Sequence, residues 1–260
     1  MKELKVHCLD HGFVILRNLA GPTRRSVVVF AGTEENPQLF NEVDFDADDR
    51  DPANVARISF DGLDKNRSFQ ADLKLCDYLM KNKHTSPFEM IEVWLEMKLP
   101  IFVARQFVRH RTCSINEVSA RYTQLPAEWY IPKPGDVGFR PKDMKQGRVI
   151  SWDGLEEAQK EKIEDFLTAL NGACRSSYQL YEHYIGEGIP PEVARSFLHV
   201  NHYTHWVWKQ DLHNLMHFLS LRIHEHAQYE ARVYAEAIYN LLKEHLPNLM
   251  ELFDKYRRLP

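Results

Sequence analysis

Between Arg109 and Tyr122 the chain reads Arg-His-Arg-Thr-Cys-Ser-Ile-Asn-Glu-Val-Ser-Ala-Arg-Tyr, which sets three arginines, a histidine, two serines, an asparagine and a glutamate in one short stretch. With Arg105 just upstream, four arginines (Arg105, Arg109, Arg111 and Arg121) face a single acid, Glu117, although the whole chain carries a formal net charge of -4. Forked guanidinium donors and serine hydroxyls hold phosphate, whereas Glu and Asn read ribose hydroxyls or a base edge. A nucleotide is the ligand class these residue types suit. The alternatives are a solvated basic face or a structural ion-pair network. Pro100 followed by apolar residues at helical spacing predicts a helix that presents Gln106, Arg109 and His110 together, since residues three and four apart share a face.

Other residues suggest other chemistry. His199, His202 and His205 recur at a spacing of three, and His213 and His217 lie one turn apart, as the ligands of a metal-dependent nucleotide hydrolase could. His213-Asn214-Leu215-Met216-His217 lacks the glutamate of an H-E-x-x-H motif, however, and no pair of aspartates accompanies the cluster, so no metal is expected. Cys113, with Arg111 close by, could be a nucleophilic thiolate. Arg222 alone reads as a cation near a helix C-terminus. A non-catalytic nucleotide-binding module would account for Ser119 and Arg121 but not for His84 or Arg222.

Arg109-His110-Arg111, seven further residues and then Ser119 resemble the signature of the flavin-dependent thymidylate synthases. The His84-Thr85-Ser86-Pro87-Phe88-Glu89 segment resembles an upstream motif of that family, Phe102 to Arg111 its helix, and Leu221-Arg222 with His226-Ala227-Gln228 its C-terminal motif. Three matches in order are far more specific than one, and together they cover residues 84–131 and 190–243. The resemblance implies an α+β fold in which a small antiparallel sheet packs with a C-terminal helical half. It implies reductive methylation of dUMP to dTMP, with methylenetetrahydrofolate as one-carbon donor, FAD as cofactor and NADPH as reductant. Family members dispense with a cysteine nucleophile, which makes Cys113 a bystander, and they form homotetramers with active sites between subunits.

Carried over position by position, the resemblance places Gln106 and Arg109 at the nucleotide, with Glu117, Ser119, Ala120 and Arg121 around its sugar and phosphate. Arg195 adds a phosphate contact from a neighbouring chain. Arg222 contacts the uracil and favours ionisation of its ring nitrogen, which makes it the catalytic residue. The flavin contacts are Ser86, Arg109, His110, Arg111 and Glu117, with Asp211, His213 and His217 from a late helix, and His84 shapes the flavin face on which folate stacks. Met90, Ala120 and His199 depart from the commonest residues of the pattern, as does the Asp211, His213, His217 set. An ionised Asp211 would repel a flavin diphosphate, so a ribose hydroxyl or an adenine amine is its better partner. The chain has no G-x-G-x-x-G motif, so a Rossmann-type flavin site is not expected.

The elements that must position these residues show in the hydrophobic pattern. A chain of 260 residues, 44% hydrophobic and 27% charged, suits one globular domain spanning 1–260. No apolar run is long enough to span a bilayer and no signal peptide opens the chain, so a cytoplasmic protein without membrane or nucleic-acid partners is expected. Four widely separated cysteines suggest reduced thiols. Phe13–Leu16 and Val27–Phe30 read as short strands. Residues 34–51, with eight acids and one Arg, read as a solvated insertion, and residues 132–154 as an irregular excursion. Ser86-Pro87-Phe88-Glu89 has the form of a capping box, yet Ile91, Val93, Leu95, Met97 and Leu99 alternate with polar or aromatic neighbours, so one helical turn followed by a strand is expected. Helices are expected over Phe69–Lys83, Leu155–Tyr184, Pro191–Tyr203, Asp211–Arg222 and Ala227–Glu244.

Overall fold

The computed structural model describes residues 5–33, 36–60, 67–140, 147–148 and 152–259, with the backbone alone for residues 23–45 and 60. Strands β1 (Lys5–Cys8), β2 (Gly12–Thr33) and β3 (Asn36–Asp46) come first, followed by helices α1 (Asp51–Ala56), α2 (Phe69–Lys81) and the single turn α3 (Ser86–Glu89). Strand β4 (Glu92–Pro100) leads into α4 (Ile101–Phe107) and β5 (Ser114–Glu117), the segment that carries the arginines. Then come α5 (Pro134–Val137), the long α6 (Glu157–Gly186), α7 (Pro191–Ala194) and β6 (Tyr203–Asp211), and finally α8 (Leu212–Arg222), α9 (Tyr229–His245) and α10 (Pro247–Tyr256).

The described strands form one antiparallel sheet in the order β1-β2-β4-β6-β5, with β3 also paired to β2. Ala20 has Glu92 opposite it on one side and Asp46 on the other, so β3 lies across β2 from β4. The expected alternation in β4 is real: Val93, Leu95, Met97 and Leu99 are buried, directly across from Gln210, Trp208, Trp206 and Thr204 of β6. Such cross-strand pairs hold a sheet face together. Helices α4, α8, α9 and α10 contribute Phe107, Phe218, Tyr234 and Phe253 to the same core. Phe107 meets Phe218 edge-on at 4.7 Å between ring centres, with Trp208 at 6.0 Å and Tyr234 at 6.4 Å. Three elements therefore clamp α4, and the residues just after it are presented from a rigid base.

The structure corrects several expectations. The two short strands are parts of one continuous β2. Residues 36–46 of the acidic segment are strand, not loop, because backbone pairing with β2 satisfies the chain whatever its side-chain charge; Glu34 and Glu35 lie outside the described residues. Asp49 and Asp51 are buried. Asp49 accepts from the amides of Asn248 and Leu249 at 3.3 and 2.9 Å and from the Asn248 side chain at 2.7 Å, so it caps α10 from the far end of the sequence. The N-cap of α3 is Thr85, without a side-chain bond, so the Ser86 capping box does not form. Residues 191–203 break into α7, a 3-10 turn at Arg195–Phe197 and the start of β6. Within 132–154 a short helix begins at Pro134, while residues 141–146 and 149–151 lie outside the described residues.

Candidate functional site

The last turn of α8 brings Arg222 against the end of α4. Its Nε donates to His110 Nε2 at 3.2 Å and one terminal nitrogen donates to the Gln106 carbonyl at 3.4 Å. An imidazole nitrogen can accept only when it carries no proton, so this bond needs neutral His110. Burial, then the Arg222 charge, then His217 push the His110 pKa down to about 4, which agrees. His110 also lies edge-on to Phe218, with ring centres 5.0 Å apart, and 6.1 Å from His217. Among the described residues no carboxylate pairs with Arg222, whose own pKa is lowered by burial. Gln106 Nε2 donates to Gln228 Oε1 at 2.6 Å, which adds a residue of the C-terminal motif to the group.

Arg105, Arg109 and Arg111 are exposed and make no ion pair among the described residues. A structural ion-pair network would have paired them, and among the described residues none does. A second group forms beyond β5. Ser119 Oγ accepts from the Arg121 amide at 3.3 Å, Arg121 Nε approaches Glu192 at 3.4 Å, and Arg195 Nε donates to the Glu192 carbonyl at 3.2 Å. Ala120 sits between Ser119 and Arg121, half-buried. The Arg121–Glu192 pair is about half exposed on both sides (51% and 52%), so it adds little stability and is readily exchanged for another anion. Thr204 of β6 donates to Glu117. Arg195 thus shares one chain and one acidic neighbour with Arg121, whereas no contact among the described residues joins this second group to the first.

The remaining candidates disperse. Asp211 caps α8, its two oxygens accepting from the Asn214 amide at 2.9 Å and the Asn214 side chain at 2.8 Å. His213 Nδ1 lies 3.1 Å from an Arg257 nitrogen, and burial, then Arg257, lower its pKa. Only His217 of that trio approaches the signature. His84 lies 5.9 Å from the Tyr78 ring, and the exposed Ser86 opens α3, which packs on α8. His199 contacts Cys174 at 3.5 Å, His202 stacks on Tyr178, and His205 bonds to Glu96 at 2.7 Å, so among the described residues the histidines do not gather into one ligand set. Cys113 donates its S–H to the His110 carbonyl at 3.0 Å and packs against the core. Sequence reasoning passed over Glu192, Thr204 and Glu230. Glu192, three residues before Arg195, carried the best available signal.

Comparison with known proteins identifies the family. Residues 42–248 match the family model described as thymidylate synthase complementing protein. Flavin-dependent thymidylate synthases from Wolbachia pipientis wMel and Ruegeria pomeroyi are each 43% identical, the first over 82% of this chain and 72% of its own length, the second over 91% and 79%. Among solved structures, a UMP/dUMP methylase, PolB from Streptomyces cacaoi, bound with 5-Br dUMP, superposes with a TM-score of 0.75 at 25% identity, covering 98% of this chain and all of that one. The α+β fold is shared with the UMP/dUMP methylases, and the chain is a methyltransferase enzyme. The chain belongs to the flavin-dependent thymidylate synthase family.

Proposed function

We propose that this enzyme methylates dUMP at carbon 5 to give dTMP, with FAD as cofactor, methylenetetrahydrofolate as carbon donor and NADPH as reductant. The observation that carries the reading is Arg222, a half-buried guanidinium whose only partners among the described residues, His110 and a backbone carbonyl, are neutral. A desolvated cation without an anion costs free energy, and an electron-rich carbonyl on a uracil ring offsets that cost most as negative charge develops there. Arg109 and Arg111, exposed and unpaired, suit the flavin diphosphate. Asp211, its oxygens already taken by Asn214, does not, and of the late-helix contacts His217 is the better supported. The flavin, when bound, supplies the electrons that turn the transferred carbon into a methyl group.

The chain's own residues orient the nucleotide and polarise its ring. Ser119, Arg121 and Arg195 meet phosphate, Glu117 accepts from the sugar, and Arg222 lies against the base. Cys113 is committed to a local turn through its bond to the His110 carbonyl, so it takes no covalent part. The two residue groups come from different subunits of a homotetramer, which is why one chain leaves them apart. Tritium release from carbon-5-labelled dUMP should require both the folate donor and NADPH, and the purified protein should show flavin absorption bands. A colourless protein, or release independent of both co-substrates, would refute this reading.

A further inference from the structure

Gln228, three residues beyond the exposed loop at Glu225, heads a chain of hydrogen bonds that ends in the core. Its Nε2 donates to Glu230 Oε2 at 2.9 Å. Glu230 is 2% exposed and takes two more donors on its other oxygen, Arg148 at 2.7 Å and the Tyr130 hydroxyl at 3.2 Å. A carboxylate held by an arginine can only accept. That fact sets the direction of every bond above it. Gln228 must turn its NH2 to Glu230 and its oxygen to Gln106; Gln106 must then turn its NH2 to Gln228, at 2.6 Å. The Gln106 side-chain oxygen is left without a partner among the described residues. Its backbone is fixed as well, because its own carbonyl accepts from Arg222.

We propose that Gln228 and Glu230 form a one-directional relay that presents the Gln106 side-chain oxygen to the ligand, which makes Gln228 a positioning residue and Gln106 a discriminator. The inference rests on the function proposed above. An outward carbonyl accepts from a ligand N–H or O–H and repels a phosphate oxygen, so the relay keeps phosphate among Ser119, Arg121 and Arg195 and brings a donor of the base or sugar to Gln106. Stability is a poor account of the arrangement, since Gln228 is exposed and a solvated amide pair contributes little. An unlocked glutamine would present either end, at the cost of admitting the wrong group.

Two measurements test this. Neutron diffraction from crystals exchanged into heavy water should place the deuterated amide of Gln106 toward Gln228 and that of Gln228 toward Glu230; the opposite order at either residue overturns the relay whatever the ligand. Calorimetry on Gln228→Met holoenzyme should show dUMP binding weakened about threefold to tenfold, the scale of one neutral hydrogen bond. Analogues methylated on the ring nitrogen or lacking the sugar 3′-hydroxyl identify the donor, because the one that has lost it should bind wild type and variant alike. Unchanged dUMP affinity in the variant, or an equal loss for dUMP and both analogues, overturns the relay. Absence of dUMP binding by the wild-type enzyme refutes the proposed function instead, and the neutron result still decides the bond order.

Discussion

Arg222 carries a desolvation cost that no carboxylate among the described residues offsets, and this governs how its removal should read out. A contact that strengthens as the ring gains charge lowers the barrier more than it aids binding. In Arg222→Ala the single-turnover rate should fall by about 10²- to 10³-fold, the usual scale for one lost charge-stabilising donor, with a much smaller change in dUMP affinity by calorimetry. Equal losses would mark a plain ground-state contact. Cys113→Ala should keep most of its tritium-release activity, because only a turn contact is lost; a folded, flavin-loaded, dUMP-binding variant without product would restore the nucleophile. His110 and His202 are both held at about 4, chiefly by burial, against an ordinary value near 6.5. Between those values the unfolded chain binds more protons than the folded one, so stability must fall as pH drops from about 6.5 toward 4. Urea midpoints measured across that range should decline, and His202→Gln should flatten the slope by up to about 1.4 kcal/mol per pH unit.

At the scale of elements, the acidic segment makes the sharpest case. Its charge signals a solvated loop, yet residues 36–46 form β3, because strand pairing is a backbone matter that composition cannot show. Asp49 was legible as an acid and illegible as a cap, because its partners Asn248 and Leu249 lie some two hundred positions away. Asp49→Ala should destabilise the protein by about 1 to 2 kcal/mol through loss of the α10 cap, read as a lower urea midpoint with unchanged slope. Asp49→Asn, which keeps an accepting oxygen, should lose less. The period-two signal of β4 was readable since its inward residues are all apolar. That of β6 was not, since Thr204 and Gln210 occupy inward positions beside Trp206 and Trp208.

At the scale of the whole molecule, the proposed site residues fall into two sets. Gln106, His110, His217 and Arg222 converge around the junction of α4 and α8, while Ser119, Arg121 and Arg195 gather about Glu192, and no contact among the described residues bridges the two sets. If one set meets the other set of a neighbouring subunit, two differently damaged chains can repair each other. Arg121→Ala and Arg222→Ala subunits, each inactive alone, should recover about a quarter of wild-type activity after unfolding and refolding as an equal mixture, since half the subunits offer each intact set. No recovery would place the complete site within a single chain.

The sequence by itself determined what is local. Spacing and residue type put Gln106 near the end of α4, although the helix stops at Phe107 and Arg109 and His110 lie in the turn beyond it, gave β4 its buried face, and supplied three ordered motifs that resemble one enzyme family. Tertiary structure decided what depends on distant partners. That Arg222 meets His110 across 112 positions, that Asp211 is spent on its own helix, and that Gln228 is tied through Glu230 to Arg148 and Tyr130 follow from packing. A side chain's role is set by the groups within a few ångströms of it, and only the folded chain specifies which groups those are.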